Sequence, residues 1–70
     1  MVKVTGVSKR IGKRLRMLRE KSGVTQEQLA FDADLNRAYI GYIERAERNP
    51  STETLEKIAK ALKISLKDLL

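Results

Sequence analysis

The chain contains no cysteine and no histidine. Without cysteine, neither a disulfide nor a zinc-thiolate site can staple so small a domain, and stability must come from helix packing or from a partner subunit. The two absences together remove most nucleophiles, general bases and transition-metal ligands that work near neutral pH. No glycine-rich loop of the kind that cradles phosphate is present either, so an enzyme is not expected and no cofactor or small-molecule substrate is implied. Tryptophan is missing, and proline occurs once, at Pro50. No apolar run approaches the length of a membrane span, and the start, Met1-Val2-Lys3-Val4, lacks the apolar core of a signal peptide. A cytoplasmic protein is the expectation.

What remains is short and charged. At 70 residues the chain is too small for two cores, and folding at that size removes about 60% of the unfolded surface from water. The net charge is +6, distributed unevenly. Residues 1–24 carry eight basic residues against Glu20 alone, a balance of +7, while the rest carries seven basic against eight acidic residues. The positive field therefore belongs to the N-terminal segment. Such a face serves a polyanion, nucleic acid or an anionic membrane, unless it is simply a solvated surface.

Residues 1–7 show no helical period and are expected to form a flexible arm, leaving one domain over residues 8–70. From Ser8, Ile11, Leu15 and Leu18 fall at i, i+4 and i+7, the stripe of an amphipathic helix, and Ser22-Gly23 ends it. Thr25 and Gln28 then form a capping box, with Val24 and Leu29 as its hydrophobic staple, so a second helix starts at Gln26. It runs to about Ala33. A tight turn follows at Ala33-Asp34-Leu35, where Asp34 tolerates a left-handed conformation, and Asn36 caps a third helix whose Ile40 and Ile43 face inward. The polar run Arg45 to Pro50 reads as a loop. Ser51 caps a fourth helix with Leu55, Ile58, Ala59 and Leu62 inside, and Ser65 with Asp68 opens a short fifth. The prediction is an all-α, compact five-helix domain.

The second and third helices, with their short turn, have the geometry in which the second of a pair enters the major groove of DNA. Ala30 and Ala33 are small where the pair cross. Asn36, Arg37, Ala38, Tyr42 and Arg45 are left outward, a mixture of amide, guanidinium and aromatic groups unlike an ordinary solvated Glu/Lys face.

Several spacings together carry a resemblance: Thr25-Gln26-Glu27-Gln28-Leu29-Ala30, Ile40 to Arg45, Asn49-Pro50-Ser51 and Ile58-Ala59-Lys60-Ala61-Leu62. On these the chain resembles the lambda repressor and Cro-like helix-turn-helix family over about residues 8–69. Leu35 to Ile40, Ile43-Glu44-Arg45 and Arg48-Asn49-Pro50-Ser51 are similar to the controller proteins of restriction-modification systems. The usual pattern there differs at Asn36, Ala38, Gly41 and Tyr42.

The resemblance implies a transcriptional regulator that binds double-stranded DNA, with a helix-turn-helix unit over residues 25–45 and a recognition helix over about 37–45. Arg37 would read guanine, Ala38 a thymine methyl, and Tyr42 and Asn36 neighbouring base edges. Gln26, Tyr39, Arg45, Arg48, Asn49, Lys9, Arg10 and Lys13 would contact phosphate. Arg19 and Glu44 would form a structural ion pair. Leu66, Leu69 and Leu70 are a candidate homodimer interface, suited to a palindromic operator. Two other readings stand beside this one: an antitoxin-like protein-interaction module, and a membrane-surface binder using the basic first helix. The second is disfavoured, because Ile11, Leu15 and Leu18 are needed by the core.

Overall fold

The computed structural model describes residues 5–70. Among these residues the chain forms four α-helices and no strand: α1 (Gly6–Lys21), α2 (Gln26–Asp32), α3 (Arg37–Glu44) and α4 (Thr52–Leu62). The fifth helix expected at the C-terminal end is instead a single 3-10 turn, Leu66–Asp68. The inward residues explain the difference. Leu66 and Leu69 both meet the core, and their i, i+3 spacing suits a tightened turn, held by bonds from Leu69 N to Leu66 O (3.0 Å) and from Leu70 N to Lys67 O (3.2 Å).

The start of α1 also differs from the reading. Thr5 accepts a hydrogen bond from Ser8 N at 3.1 Å and caps a helix beginning at Gly6, so Thr5, Gly6 and Val7 are not part of an arm. The other arm positions, 1–4, lie outside the described residues. Val7 points outward and is 54% exposed, so it adds nothing to the apolar stripe that marks the helix further on. At the other end Gly23 takes φ 74° and closes α1.

Caps set the remaining helices. Thr25 accepts from Gln28 N (3.0 Å), Asn36 from Ala38 N (2.7 Å) and Ser51 from Thr54 N (3.1 Å). Gln28 does not complete its capping box, because its side chain turns the other way and donates to Asp32 at 2.9 Å. The turn between α2 and α3 is made as expected, with Asp34 left-handed at φ 57° and Leu35 N donating to Ala30 O at 2.8 Å. Two further left-handed residues, Ala46 and Lys63, end α3 and α4.

One core joins all the helices. Leu15, Leu29, Ile40, Ile43, Ile58 and Leu69 are fully buried in it, with Ile11, Leu55 and Leu62 beside them. α3 packs on both α1 and α2, α2 on α4, and α4 on the last turn. The approach of α1 to α3 is close enough to require glycine. A β-carbon at Gly12 would stand 2.6 Å from the Ile43 carbonyl oxygen and 2.8 Å from that of Glu44. These contacts leave the outward face of α3 largely open to solvent, bordered by the start of α2.

Candidate nucleic-acid interface

α3 presents Arg37, Ala38 and Arg45 to solvent, with Tyr42 half-buried between them. These residues, with Gln26 and Gly41, line a shallow depression of about 310 Å³. Arg37 stands at the first position of the helix, its Nη1 3.9 Å from Glu27 on α2. Both side chains are mostly exposed, so this pair is weak and leaves the guanidinium available to another acceptor. Asn36 is less available. Its Oδ1 already accepts the cap bond, which holds the side chain against the backbone and leaves its amide nitrogen and one remaining lone pair for a base edge.

Beneath this face lies a polar lock. Arg19 donates to Glu44 through Nε (2.6 Å) and Nη2 (3.1 Å), and through Nη1 to the Val24 carbonyl (2.8 Å). Glu44 is 3% exposed and Arg19 11%, and the bond to Glu44 raises Arg19 above its ordinary pKa. The second carboxylate oxygen also accepts from Gln26 Nε2 at 3.0 Å. Gln26, read from the sequence as a phosphate ligand at the start of α2, is thus held by its side chain against the ion pair, and its backbone N–H remains at the helix N-terminus.

At the far end of α3 the sequence-predicted phosphate contacts form a cluster rather than separate loop residues. Two guanidiniums lie over the Tyr42 ring, with the Arg45 carbon 5.6 Å and the Arg48 carbon 4.9 Å from its centroid. Arg45 also pairs with Glu47 through Nε (3.1 Å) and Nη2 (3.2 Å), a bond that raises its pKa. Asn49 accepts a hydrogen bond from the buried Ser8 hydroxyl, fastening the loop to the first turn of α1. Tyr39 packs partly against the core. Lys9, Arg10 and Lys13 are exposed, and with Arg14 and Arg45 they line a neighbouring depression of about 520 Å³. The basic flank of α1 therefore adjoins the C-terminal end of α3.

The candidate interface residues at the chain's end divide. Leu69 is completely buried in the chain's own core, so it is not interface, and the grouping of three leucines is corrected to Leu66, half-buried, and Leu70, 44% exposed. Sequence reasoning also missed Glu47 and Gly41. The signal for both was spacing: Glu47 is two residues beyond Arg45, and Gly41 lies one helical turn before it, where a side chain would crowd the guanidinium.

A bent pair of short helices, the second free along its outer face and flanked by basic residues, defines a helix-turn-helix protein. Residues 15–69 match the helix-turn-helix family, and the chain belongs to it. It is 52% identical over 60 residues to the control protein C.BamHI of Bacillus amyloliquefaciens, a match spanning 84% of this chain and 74% of that one. The crystal structure of the restriction-modification controller protein C.AhdI from Aeromonas hydrophila superposes with a TM-score of 0.88 at 43% identity, covering 90% of this chain and 96% of that one. C.Esp1396I bound to a 25 base pair operator site matches with a TM-score of 0.82 at 36% identity, over 87% and 80% of the two chains. Controller-like relatives thus share both fold and sequence with this chain. Among the described residues no helix is long and apolar enough to cross a membrane.

Proposed function

We propose that this chain is a sequence-specific, double-stranded-DNA-binding transcriptional regulator that acts as a homodimer on a palindromic operator. The observation that carries the reading is the outward face of α3, where Arg37, Ala38, Tyr42 and Arg45 share one open depression with Gln26. In the major groove Arg37 would exchange its weak contact with Glu27 for two hydrogen bonds to guanine O6 and N7, and the Ala38 methyl would meet a thymine methyl. The N-terminus of α2 at Gln26, the Tyr39 hydroxyl, Arg48, Asn49 and the Lys9, Arg10 and Lys13 flank would meet phosphates and set the register. Tyr42 would act through its edge or its hydroxyl, with the Arg45 and Arg48 guanidiniums lying over its ring. The protein is a binder rather than an enzyme, and the reading needs no cofactor.

Likeness to C.Esp1396I, solved on an operator, supports DNA as the ligand. Leu66 and Leu70 support the dimer, because both remain partly open at one end of the molecule. Two subunits would then read half-sites about one turn of DNA apart. The test is selection from a random double-stranded pool at near-physiological salt. An enriched palindrome is expected. Binding without any enriched sequence, collapsing as salt rises, would overturn the reading and turn the search to a protein partner.

A further inference from the structure

We propose that Arg45 is a second base-reading arginine, presented to the groove by Gly41, Tyr42 and Glu47, rather than a phosphate contact at the end of the recognition helix. This rests on the DNA-binding reading above and extends it to a specificity-determining residue.

The side chain does not run on past the end of α3. It folds back over the preceding turn, so that a β-carbon at Gly41 would stand 2.9 Å from Nη1. The guanidinium thereby comes to lie along the middle of the outward face, lining the same depression as Arg37 and Ala38. Three groups keep it there. Gly41 leaves the space, the Tyr42 ring flanks it at 5.6 Å, and Glu47 holds its Nε and Nη2 edge. The backbone closes the same unit, with Glu47 N donating to Tyr42 O at 2.8 Å and Ala46 taking the left-handed turn at φ 59°.

Chemistry then decides what the arginine is suited to. Of the five guanidinium N–H groups, Glu47 engages the one on Nε and one on Nη2, leaving both on Nη1 and the other on Nη2 free. Those remaining donors form the parallel pair that matches guanine O6 and N7. A phosphate contact needs only charge and reach, and gains nothing from a carboxylate that cancels part of the charge. A base contact gains from it, since the fork is oriented before DNA arrives. Arg48, whose guanidinium also lies over the Tyr42 ring at 4.9 Å, has no such carboxylate bond among the described residues and retains the phosphate role.

The experiment measures binding of wild type, Arg37→Ala, Arg45→Ala, Arg45→Lys and Gly41→Ala to the selected operator and to its full set of single base-pair substitutions, across several salt concentrations. Arg45→Ala is expected to lose discrimination by about tenfold at one or two base pairs that differ from those lost in Arg37→Ala. Arg45→Lys keeps the charge but not the fork, so it is expected to lose the same discrimination while keeping the wild-type salt dependence. Gly41→Ala is expected to do likewise with an unchanged or higher thermal midpoint, because only the flexible tip of Arg45 must move and alanine favours the helix. Uniform weakening on every operator by Arg45→Ala, with full recovery in Arg45→Lys, would make Arg45 a phosphate contact and overturn the proposal while Arg37 still read its own positions. A wild type with no preference at all would overturn the DNA-reading function itself, and this proposal with it.

Discussion

Arg19 and Glu44 meet through two hydrogen bonds, Nε to Oε2 at 2.6 Å and Nη2 to Oε1 at 3.1 Å, almost fully shielded between α1 and α3. The same carboxylate receives Gln26 from α2, so one buried group fixes all three helices that frame the outward face. Glu44→Ala would strand the Arg19 charge in a site with one remaining partner, the Val24 carbonyl. A loss of about 3 kcal/mol or more is expected, read as a lower midpoint in chemical denaturation. An unmoved midpoint would show that the pair is solvated in solution.

The two buried glycines of the chain are expected to respond oppositely to alanine. At Gly12 the added methyl meets backbone carbonyl oxygens of Ile43 and Glu44 that cannot step aside, whereas at Gly41 it meets a movable guanidinium. Gly12→Ala should cost about 1–3 kcal/mol despite the gain in helix propensity, because α1 must shift on α3. Gly41→Ala should stabilise or leave stability unchanged. Paired thermal melts compare them, and equal shifts would contradict the packing described.

Much of this was legible in the sequence, and the parts that were not share a physical reason. Periodicity found α1 to α4, and Thr25, Asn36 and Ser51 announced their starts, because caps and core stripes are local signals. Gly12 carries no such signal. Its requirement comes from the carbonyls of Ile43 and Glu44, far along the chain and adjacent only after packing. Phe31 illustrates the converse: it follows two core residues, Leu29 and Ala30, yet is 81% exposed. The outward set of α3 was readable from composition and spacing. The stacking of Arg45 and Arg48 on Tyr42 was not, because it depends on the left-handed turn at Ala46.

The leucines at the chain's end separate folding from assembly. Leu69 is fully buried, so Leu69→Ala should lower stability by about 2–5 kcal/mol. Leu70 is 44% exposed, so Leu70→Glu should leave the unfolding of the monomer nearly unchanged and shift a dimer toward monomer in sedimentation equilibrium. An unchanged association state would remove Leu70 from the proposed interface.

The last turn is expected to loosen in acid. The Asp68 carboxylate accepts from Ser65 N (3.1 Å) and Ser65 Oγ (3.0 Å), and these bonds, the backbone one first, hold its pKa below the ordinary value. A carboxylate depressed in the folded state stabilises above its unfolded pKa, near 4 (about 3.9), and loses that contribution as pH falls through the lower folded value. Protection of the Leu69 and Leu70 amides, taken relative to the intrinsic exchange rate at each pH, should therefore fall below about pH 4 in wild type. In Asp68→Asn that acid-dependent loss of protection should be absent.

The central claim is that the N-terminal end of α3 reads bases, and Arg37 tests it most directly. Wild type and Arg37→Ala are titrated against the selected operator, its single base-pair variants and unrelated DNA. The expected result is a loss of about 1–3 kcal/mol on the selected operator, confined to discrimination at specific base pairs, with affinity for unrelated DNA nearly preserved. Equal weakening on all sequences, with a shallower salt dependence, would make Arg37 one more phosphate contact and contradict the account.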